Sequence, residues 1–189
     1  MPADNIKRAI QRGTGELPGV QYEEITYEGY GPGGVALMIE LVTDNKNRTV
    51  AELRHLLDRN NGKLAEAGSV AWMFQKKGGI EVPKSAIGEE DLLNIILEAG
   101  ADDMSVEDDY YDITTSFEAF EPVKKAIEDK GLKMNNATVQ MLPQNTIKVE
   151  GKEAEQVLRL MEALEEHDDV QNVYANFDID DSVLAQLNQ

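Results

Sequence analysis

The stretch from Tyr22 to Arg54 constrains the fold more than any other, because two strand-like runs and one helix-like run follow one another within it. Residues 25–30 and 35–42 are rich in Val, Ile, Leu and Tyr, which are enriched in β-strands. Between them lies the sequence Gly-Pro-Gly-Gly, and a glycine-rich break between two such runs is typical of a β-hairpin. The stretch therefore predicts two adjacent antiparallel strands.

A helix is expected directly after this hairpin. Thr49 and Glu52 have the spacing of a capping box, in which two side chains bond backbone N–H groups at the start of a helix. The apolar residues that follow recur at helical spacing, which would place them on one face. They are Val50, Leu53, Leu56 and Leu57. We therefore expect a helix that begins near Thr49 and covers the hairpin.

The glycines of the hairpin also match the pattern of a dinucleotide-binding loop, G-x-G-x-x-G, at Gly29, Gly31 and Gly34. That loop needs a helix N-terminus directly after the glycines to hold the pyrophosphate, whereas here strand-forming residues follow. Pro32 also removes a backbone N–H that a phosphate would use. We therefore interpret the glycines as a tight turn and expect no cofactor.

The order of predicted elements divides the chain into two domains. Residues 80–142 read strand, helix, strand, strand, helix, strand, which is the βαββαβ order of ferredoxin-like domains. The hairpin and helix before this stretch form an incomplete sheet, and a helix and a strand within 143–181 would complete it. We therefore predict an α+β protein with two α/β sandwich domains, one formed by residues 19–79 and 143–181 and the other, ferredoxin-like, inserted at 80–142.

The remaining segments are short. Residues 2–12 have the pattern of an amphipathic helix and are followed by a glycine-rich linker, while residues 182–189 form a tail. Trp72 lies in an alternating apolar run of residues 70–74, which predicts a strand with this side chain in the core. The two lysines and two glycines of residues 76–79 favour a turn after that strand.

Charge limits the partners that the chain can bind. Its formal net charge is −18, and residues 1–60 carry seven Lys and Arg against nine Asp and Glu, so −16 falls on the remainder. An acidic surface repels nucleic acids and anionic membranes unless positive charge is locally concentrated. Any phosphate contact is therefore expected in the first third, although the cations there fit a solvated face equally well. The candidate nucleic-acid-binding residues are Lys7, Arg8, Arg12, Lys46, Arg48 and Arg54.

Several classes of protein are excluded by what the sequence lacks. Without cysteine, the chain can form neither disulfide bonds nor a thiolate zinc site. No apolar run reaches the roughly 18 residues of a membrane-spanning helix, and a polar segment follows Met1 in place of a signal peptide. We therefore expect a cytoplasmic protein without a membrane partner.

Neither a catalytic nor a metal site emerges from the sequence motifs. A cluster of carboxylates at residues 102–112 surrounds the turn between two predicted strands, but its spacing does not match a calcium loop. His55 and His167 form no chelating motif, and the sequence contains neither a nucleophile elbow nor a P-loop. We therefore expect no metal and no enzymatic activity.

Five stretches together resemble the YebC/PmpR family across essentially the whole chain. They are MPADNIKRAIQRGTG from Met1, YEGYGPGGVALMIELVTDNKNRTVAELRH from Tyr27, GSVAWMF from Gly68, LEAGADD from Leu97 and LEEHDDVQNVYANFDI from Leu164. The resemblance implies a basic helical N-terminal domain followed by two α/β domains, one inserted into the other. It supplies no catalytic residues.

The chain departs from the family pattern at its start. The family begins with a basic segment of the type GHSKWxxIK, whereas this chain begins where that domain is ending. On this comparison, residues 1–18 are the remnant of the N-terminal helical domain and its linker. We expect a monomer that binds DNA or ribosomal RNA through a basic N-terminal region, which is largely absent here, and the ribosome is a further candidate partner.

The resemblance implies two functions of different kinds. Family members are known as DNA-binding transcriptional regulators of bacteria, and a similar mitochondrial protein activates translation of cytochrome c oxidase subunit I. Family members are also associated with ribosomes and with relief of stalling at proline-rich stretches. No helix in this sequence presents Arg, Asn or Gln at exposed N-terminal positions for reading bases, which weakens sequence-specific DNA recognition. A transcriptional regulator is the first expectation, and a ribosome-associated translation factor is the alternative.

Overall fold

The computed structural model describes residues 20–180 and Val183. Within them the chain forms ten strands and four helices, which we number in chain order. They are β1 Glu23–Tyr30, β2 Ala36–Thr43, α1 Lys46–Arg59, β3 Lys63–Leu64, β4 Phe74–Pro83, α2 Glu89–Ala99, β5 Asp103–Val106, β6 Tyr110–Ser116, α3 Phe117–Asp129, β7 Asn136–Pro143, β8 Ile147–Lys148, α4 Gly151–Glu165, β9 Val170–Ala175 and β10 Phe177–Asp178. The predicted helix at 2–12 and the tail, apart from Val183, lie outside the described residues.

These elements form two compact units. The first contains the described residues up to Met73 and from Asn145 onward, and the second contains Phe74–Gln144. Both units combine helices with antiparallel sheet pairs, which confirms the α+β class predicted from the sequence. In this part of the chain, no helix is both long and apolar enough to cross a lipid bilayer.

The main sheet of the first unit has the order β3-β1-β2-β9. β1 and β2 form the expected hairpin, with Tyr30 opposite Ala36 beside the turn. β9, which follows the second unit in sequence, pairs antiparallel with β2. Alternate residues of β2 share a core with α1 and α4, whose members include Leu37, Ile39, Leu41, Leu53, Leu57, Val157, Leu160 and Leu164. The returning chain thus extends the sheet that the hairpin begins.

Helix α1 begins three residues earlier than the predicted capping box. Asn45 caps it, because its Oδ1 accepts a hydrogen bond from the backbone N–H of Arg48 at 3.0 Å. Thr49 is fully buried, and its hydroxyl lies 2.7 Å from both Thr43 Oγ1 and Asp169 Oδ2. The predicted start was wrong because Thr49 has a partner that is distant in sequence.

The loop that precedes the second unit is held by the buried carboxylate of Glu28. Its two oxygens accept hydrogen bonds from the backbone N–H groups of Gly68, Val70 and Ala71, at 2.6, 2.7 and 2.8 Å. Burial alone would raise the pKa of Glu28, but the three hydrogen bonds outweigh it and lower that pKa below its ordinary value. The carboxylate therefore stays charged within the fold at neutral pH.

Trp72 lies on the surface, so the expectation of a core residue was wrong. Residues Ala71–Met73 form a 3-10 turn in place of the predicted strand, and Trp72 is 67% exposed. Its indole Nε1–H donates to the carbonyl oxygen of Ser69 at 3.0 Å. The apolar alternation around Trp72 is misleading because Glu28 holds the preceding backbone in a turn.

The second unit is ferredoxin-like. Its sheet has the order β5-β6-β4-β7, and every neighbouring pair of strands is antiparallel. The central strand β4 runs without interruption through Gly78 and Gly79, where the sequence favoured a turn. Helices α2 and α3 share a core with the sheet, and its members include Ile80, Val82, Leu92, Ile96, Ile113, Phe120, Val123 and Ile127.

Gly78 leaves room for helix α3 to approach the sheet. A Cβ atom at this residue would overlap the Phe120 ring and the Thr115 hydroxyl. At Gly79, the nearest atom to an added Cβ would be Nε2 of the flexible Gln140 side chain, at 3.3 Å. A side chain can therefore be added at Gly79 far more easily than at Gly78.

Replacing Gly78 with alanine should destabilise the second unit by about 1–3 kcal/mol, the usual cost of overpacking a core. Gly79→Ala is the matched control on the same strand and should change the free energy of unfolding by less than about 0.5 kcal/mol. Urea titrations followed by circular dichroism measure both values. Equal losses for the two variants would contradict the close approach of α3 at Gly78.

Glu28→Gln should destabilise the first unit at neutral pH by about 1.5–3 kcal/mol, the worth of hydrogen bonds to a charged group. Because the pKa of Glu28 is lowered in the folded state, the charged carboxylate stabilises the fold at pH values above the ordinary glutamate pKa of 4.5. This stabilisation is lost as the pH falls below that value. The difference in unfolding free energy between the two proteins should therefore shrink in acid.

Glu24→Gln, at an exposed residue of the same strand, serves as the control and should cost less than about 0.5 kcal/mol at neutral pH. A Glu28→Gln protein as stable as the wild type at pH 7 would show that the three backbone hydrogen bonds do not hold this loop.

Candidate nucleic-acid interface

The structure places three of the six predicted nucleic-acid-binding residues on helix α1. Lys46 and Arg48 lie in its first turn and Arg54 lies further along it, all three in exposed positions. The other three residues, Lys7, Arg8 and Arg12, lie outside the described part of the chain. A role in binding stays a prediction for all six.

Arg48 is engaged by carboxylates of the fold. Its Nη2 atom lies 2.9 Å from Asp169 Oδ2 and 3.1 Å from Asp44 Oδ1, and the bond to Asp169 raises the pKa of the guanidinium. Burial alone would raise the pKa of Asp169, but hydrogen bonds from Thr49 and Arg48 lower it. A phosphate group would therefore have to compete with a buried carboxylate for Arg48.

Glu52, His167 and Asp169 lie close enough together to suggest a metal site. The backbone N–H of Asp169 donates to His167 Nδ1 at 3.2 Å, so the proton of a neutral ring lies on Nε2, which is 3.1 Å from Glu52 Oε2. Neither ring nitrogen then offers a free lone pair, and the Arg48 guanidinium already neutralises Asp169. We therefore interpret these three residues as part of a hydrogen-bonded ion-pair network that fixes α1, in preference to a metal site.

Exposed cations on α1 and the loop after it form a local exception to the acidity of the chain. Residues 44–63, which we name the basic segment, carry five Lys and Arg against three Asp and Glu, while the whole chain carries 18 against 36. Among residues 20–180, no carboxylate lies within 4.0 Å of the charged groups of four of these cations. They are Lys46, Arg54, Arg59 and Lys63, all exposed. These four side chains are therefore available to a phosphate.

A cleft of about 370 Å³ lies where the basic segment meets the turn of the hairpin. We name it the glycine cleft, and its lining residues are Tyr30, Gly31, Gly34, Asn61, Gly62 and Lys63. At its rim, Gly34 has a φ of +78°, and an added Cβ would meet no atom within 4 Å. The space above this part of the turn is therefore open.

The backbone after α1 creates one side of the glycine cleft. Asn61 adopts the left-handed conformation, with φ of 57°, and turns the chain so that Lys63 pairs with Tyr30. Gly62 is required at this return, because an added Cβ would lie 2.7 Å from the carbonyl oxygen of Tyr30. The short strand β3 thus fixes a lysine beside an aromatic ring.

The glycine cleft combines three kinds of group that bind nucleotides. Lys63 Nζ lies 5.7 Å from the centroid of the half-buried Tyr30 ring, and the exposed Asn61 adds a carboxamide. Aromatic rings stack on unpaired bases, lysine binds phosphate, and a carboxamide both donates and accepts hydrogen bonds. The arrangement can therefore contact a flexible polyanion that carries exposed bases.

Tyr30, Asn61 and Lys63 were missed as site residues by the sequence analysis. Tyr30 and Lys63 meet only because β1 pairs with β3, and a strand of two residues is too short to be found from periodicity. The available signal was the run Asn-Asn-Gly-Lys directly after the helix, since Asn and Gly favour the left-handed turn that ends a helix.

Comparison with known proteins identifies the family. Residues 22–177 match the family model described as the second and third domain of TACO1/YebC. A protein from Chlorobaculum tepidum named probable transcriptional regulatory protein is 53% identical to this chain, and the match covers 100% of this chain and 76% of the relative. A protein of the same name from Koribacter versatilis is 55% identical, and the match covers 99% of this chain and 75% of the relative. The crystal structure of a conserved hypothetical protein from Aquifex aeolicus has a TM-score of 0.78 at 44% identity and covers 97% of this chain and 76% of its own. The chain therefore belongs to the TACO1/YebC family.

Proposed function

We propose that this protein regulates gene expression by docking on the ribosome, where its basic segment contacts ribosomal RNA. The observation that carries the proposal is the group of exposed, unpaired cations in the basic segment of an otherwise acidic chain. Locally concentrated positive charge attracts phosphate, while the acidic remainder opposes attachment to nucleic acid in general. This combination favours selective docking on one site.

The same arrangement is less suited to duplex DNA. A protein that binds DNA tightly neutralises about 6–10 phosphates and reads base edges with a row of side chains in the major groove. In the basic segment, Glu52 and Asp58 lie among these four cations. Three of the four are spread along a helix about 20 Å long, and Lys63 follows it on β3. Irregularly folded RNA, with phosphates at varied spacing and accessible bases, fits this pattern better.

A DNA-binding transcriptional regulator is the second candidate, because the relatives from Chlorobaculum tepidum and Koribacter versatilis are named probable transcriptional regulatory proteins. For either target we propose a cytoplasmic monomer without catalytic activity. The two candidates differ in whether duplex DNA displaces the protein from its target.

Co-sedimentation of the chain with purified ribosomes, over a salt series and with excess duplex DNA as competitor, tests the proposal. The wild type should sediment with ribosomes despite the DNA. The double variant Lys46→Glu, Arg54→Glu should lose affinity and lower the slope of the logarithm of affinity against that of salt by about 1.5, for two lost phosphate contacts. Arg48 is left unchanged, because its substitution would also disturb Asp169.

The matched control is Lys130→Glu with Lys133→Glu, which reverses two exposed cations of the second unit and makes the same change in net charge. The control should sediment as the wild type does. Equal losses for both double variants would contradict docking through the basic segment. Displacement of the wild type by duplex DNA would contradict selective docking on the ribosome.

A further inference from the structure

The glycine cleft has the size and openness of a site for one small unit of a polymer. Its volume of about 370 Å³ lies at the lower end of the range of about 300–1,000 Å³ that is usual for small-molecule sites. Gly34 leaves the rim open, whereas Gly62 permits the close backbone approach that places Lys63 beside Tyr30. The glycines thus determine the shape of the cleft, while Tyr30, Asn61 and Lys63 supply the side chains that could bind a ligand.

The side chains of Tyr30, Asn61 and Lys63 each offer a group that can bind one part of a nucleotide. The half-buried Tyr30 ring lines the cleft, and the Lys63 ammonium lies over this ring, 5.7 Å from its centroid. Asn61 is exposed on the turn between α1 and β3, and no other described residue accepts from or donates to its carboxamide. An aromatic ring can stack on a nucleobase, a cation can bind its phosphate, and an amide can form hydrogen bonds with the polar edge of the base.

We propose that the glycine cleft binds one unpaired nucleotide of single-stranded RNA, with the base on Tyr30 and the phosphate at Lys63. This inference rests on the proposed function and names the part of the RNA that the protein recognises. In a duplex both faces of a base are stacked on neighbours, so the Tyr30 ring has no free face to meet. The cleft therefore selects single-stranded over double-stranded RNA.

A six-nucleotide single-stranded oligoadenylate with a fluorescent end label provides the probe, and its anisotropy reports binding to the full chain. The wild type should bind it more tightly than a labelled RNA duplex of the same length. Tyr30→Leu should weaken binding about 5- to 150-fold, the range that one lost base–aromatic stack gives, while Tyr30→Phe should retain it. Lys63→Gln should lower the salt slope by about 0.7, as expected for one phosphate.

The matched control uses a second exposed pair of a lysine and an aromatic ring. Lys76 Nζ lies 4.3 Å from the centroid of the Phe117 ring in the second unit, and neither residue lines the glycine cleft. Phe117→Leu and Lys76→Gln should leave binding of the oligonucleotide unchanged. Far-ultraviolet circular dichroism and urea unfolding of each variant check that it is folded and stable, and retained binding of Tyr30→Phe shows that the ring and not the hydroxyl is needed.

Ribosome sedimentation of the same proteins separates this inference from the proposed function. A wild type that sediments with ribosomes but does not bind the oligonucleotide, or binds the duplex equally well, overturns the assignment of the cleft and leaves the function standing. A wild type that binds the oligonucleotide through Tyr30 but not ribosomes overturns the ribosomal function and supports the cleft. Equal effects of Tyr30→Leu and Phe117→Leu overturn the assignment of the cleft.

Discussion

Asp169 binds residues of β2 and α1, although the whole second unit lies between them and Asp169 in the sequence. Its backbone carbonyl accepts a hydrogen bond from Val42 near the end of β2, and its carboxylate binds Thr49 and Arg48 at the start of α1. Because this carboxylate is buried while Arg48 is partly exposed, removal of Arg48 would leave a buried charge held by Thr49 alone among these side chains and would destabilise the first unit. Asp169 thus holds the start of α1, where the basic segment begins, while Leu53 and Leu57 hold the rest of the helix in the apolar core.

The same network determines which cations are available to a partner. Arg48, which the sequence offered as a phosphate contact, is held by Asp169 and Asp44, whereas Lys46 and Arg54 have no such carboxylate among the described residues. Beyond the other end of α1, the pairing of β1 with β3 places Lys63 beside the Tyr30 ring, and no carboxylate among residues 20–180 pairs with it. The fold thus uses one cation to fix the helix and leaves its neighbours exposed.

Local signals predicted the elements well, and distant polar contacts account for the errors. The βαββαβ order of the second unit followed from local patterns in the sequence. Helix α2 is an example, since it ends before Gly100, whose φ of 100° is a conformation that favours glycine. The start of α1 was misplaced because Thr49 is buried against Asp169, and Trp72 was misplaced because Glu28 bends the preceding backbone. Periodicity shows which face of an element is buried, but not which distant carboxylate lies there. The glycine cleft escaped prediction for the same reason, since it depends on the pairing of β1 with β3.

Cross-linking of the ribosome-bound chain to RNA by ultraviolet light, with mass spectrometry of the RNA-linked peptides, tests the central claim most directly. The account predicts RNA adducts within residues 44–63 and at Tyr30, on the surfaces that carry the unpaired cations and the glycine cleft. Adducts confined to Phe74–Gln144, or none on ribosomes that retain the protein, would contradict it.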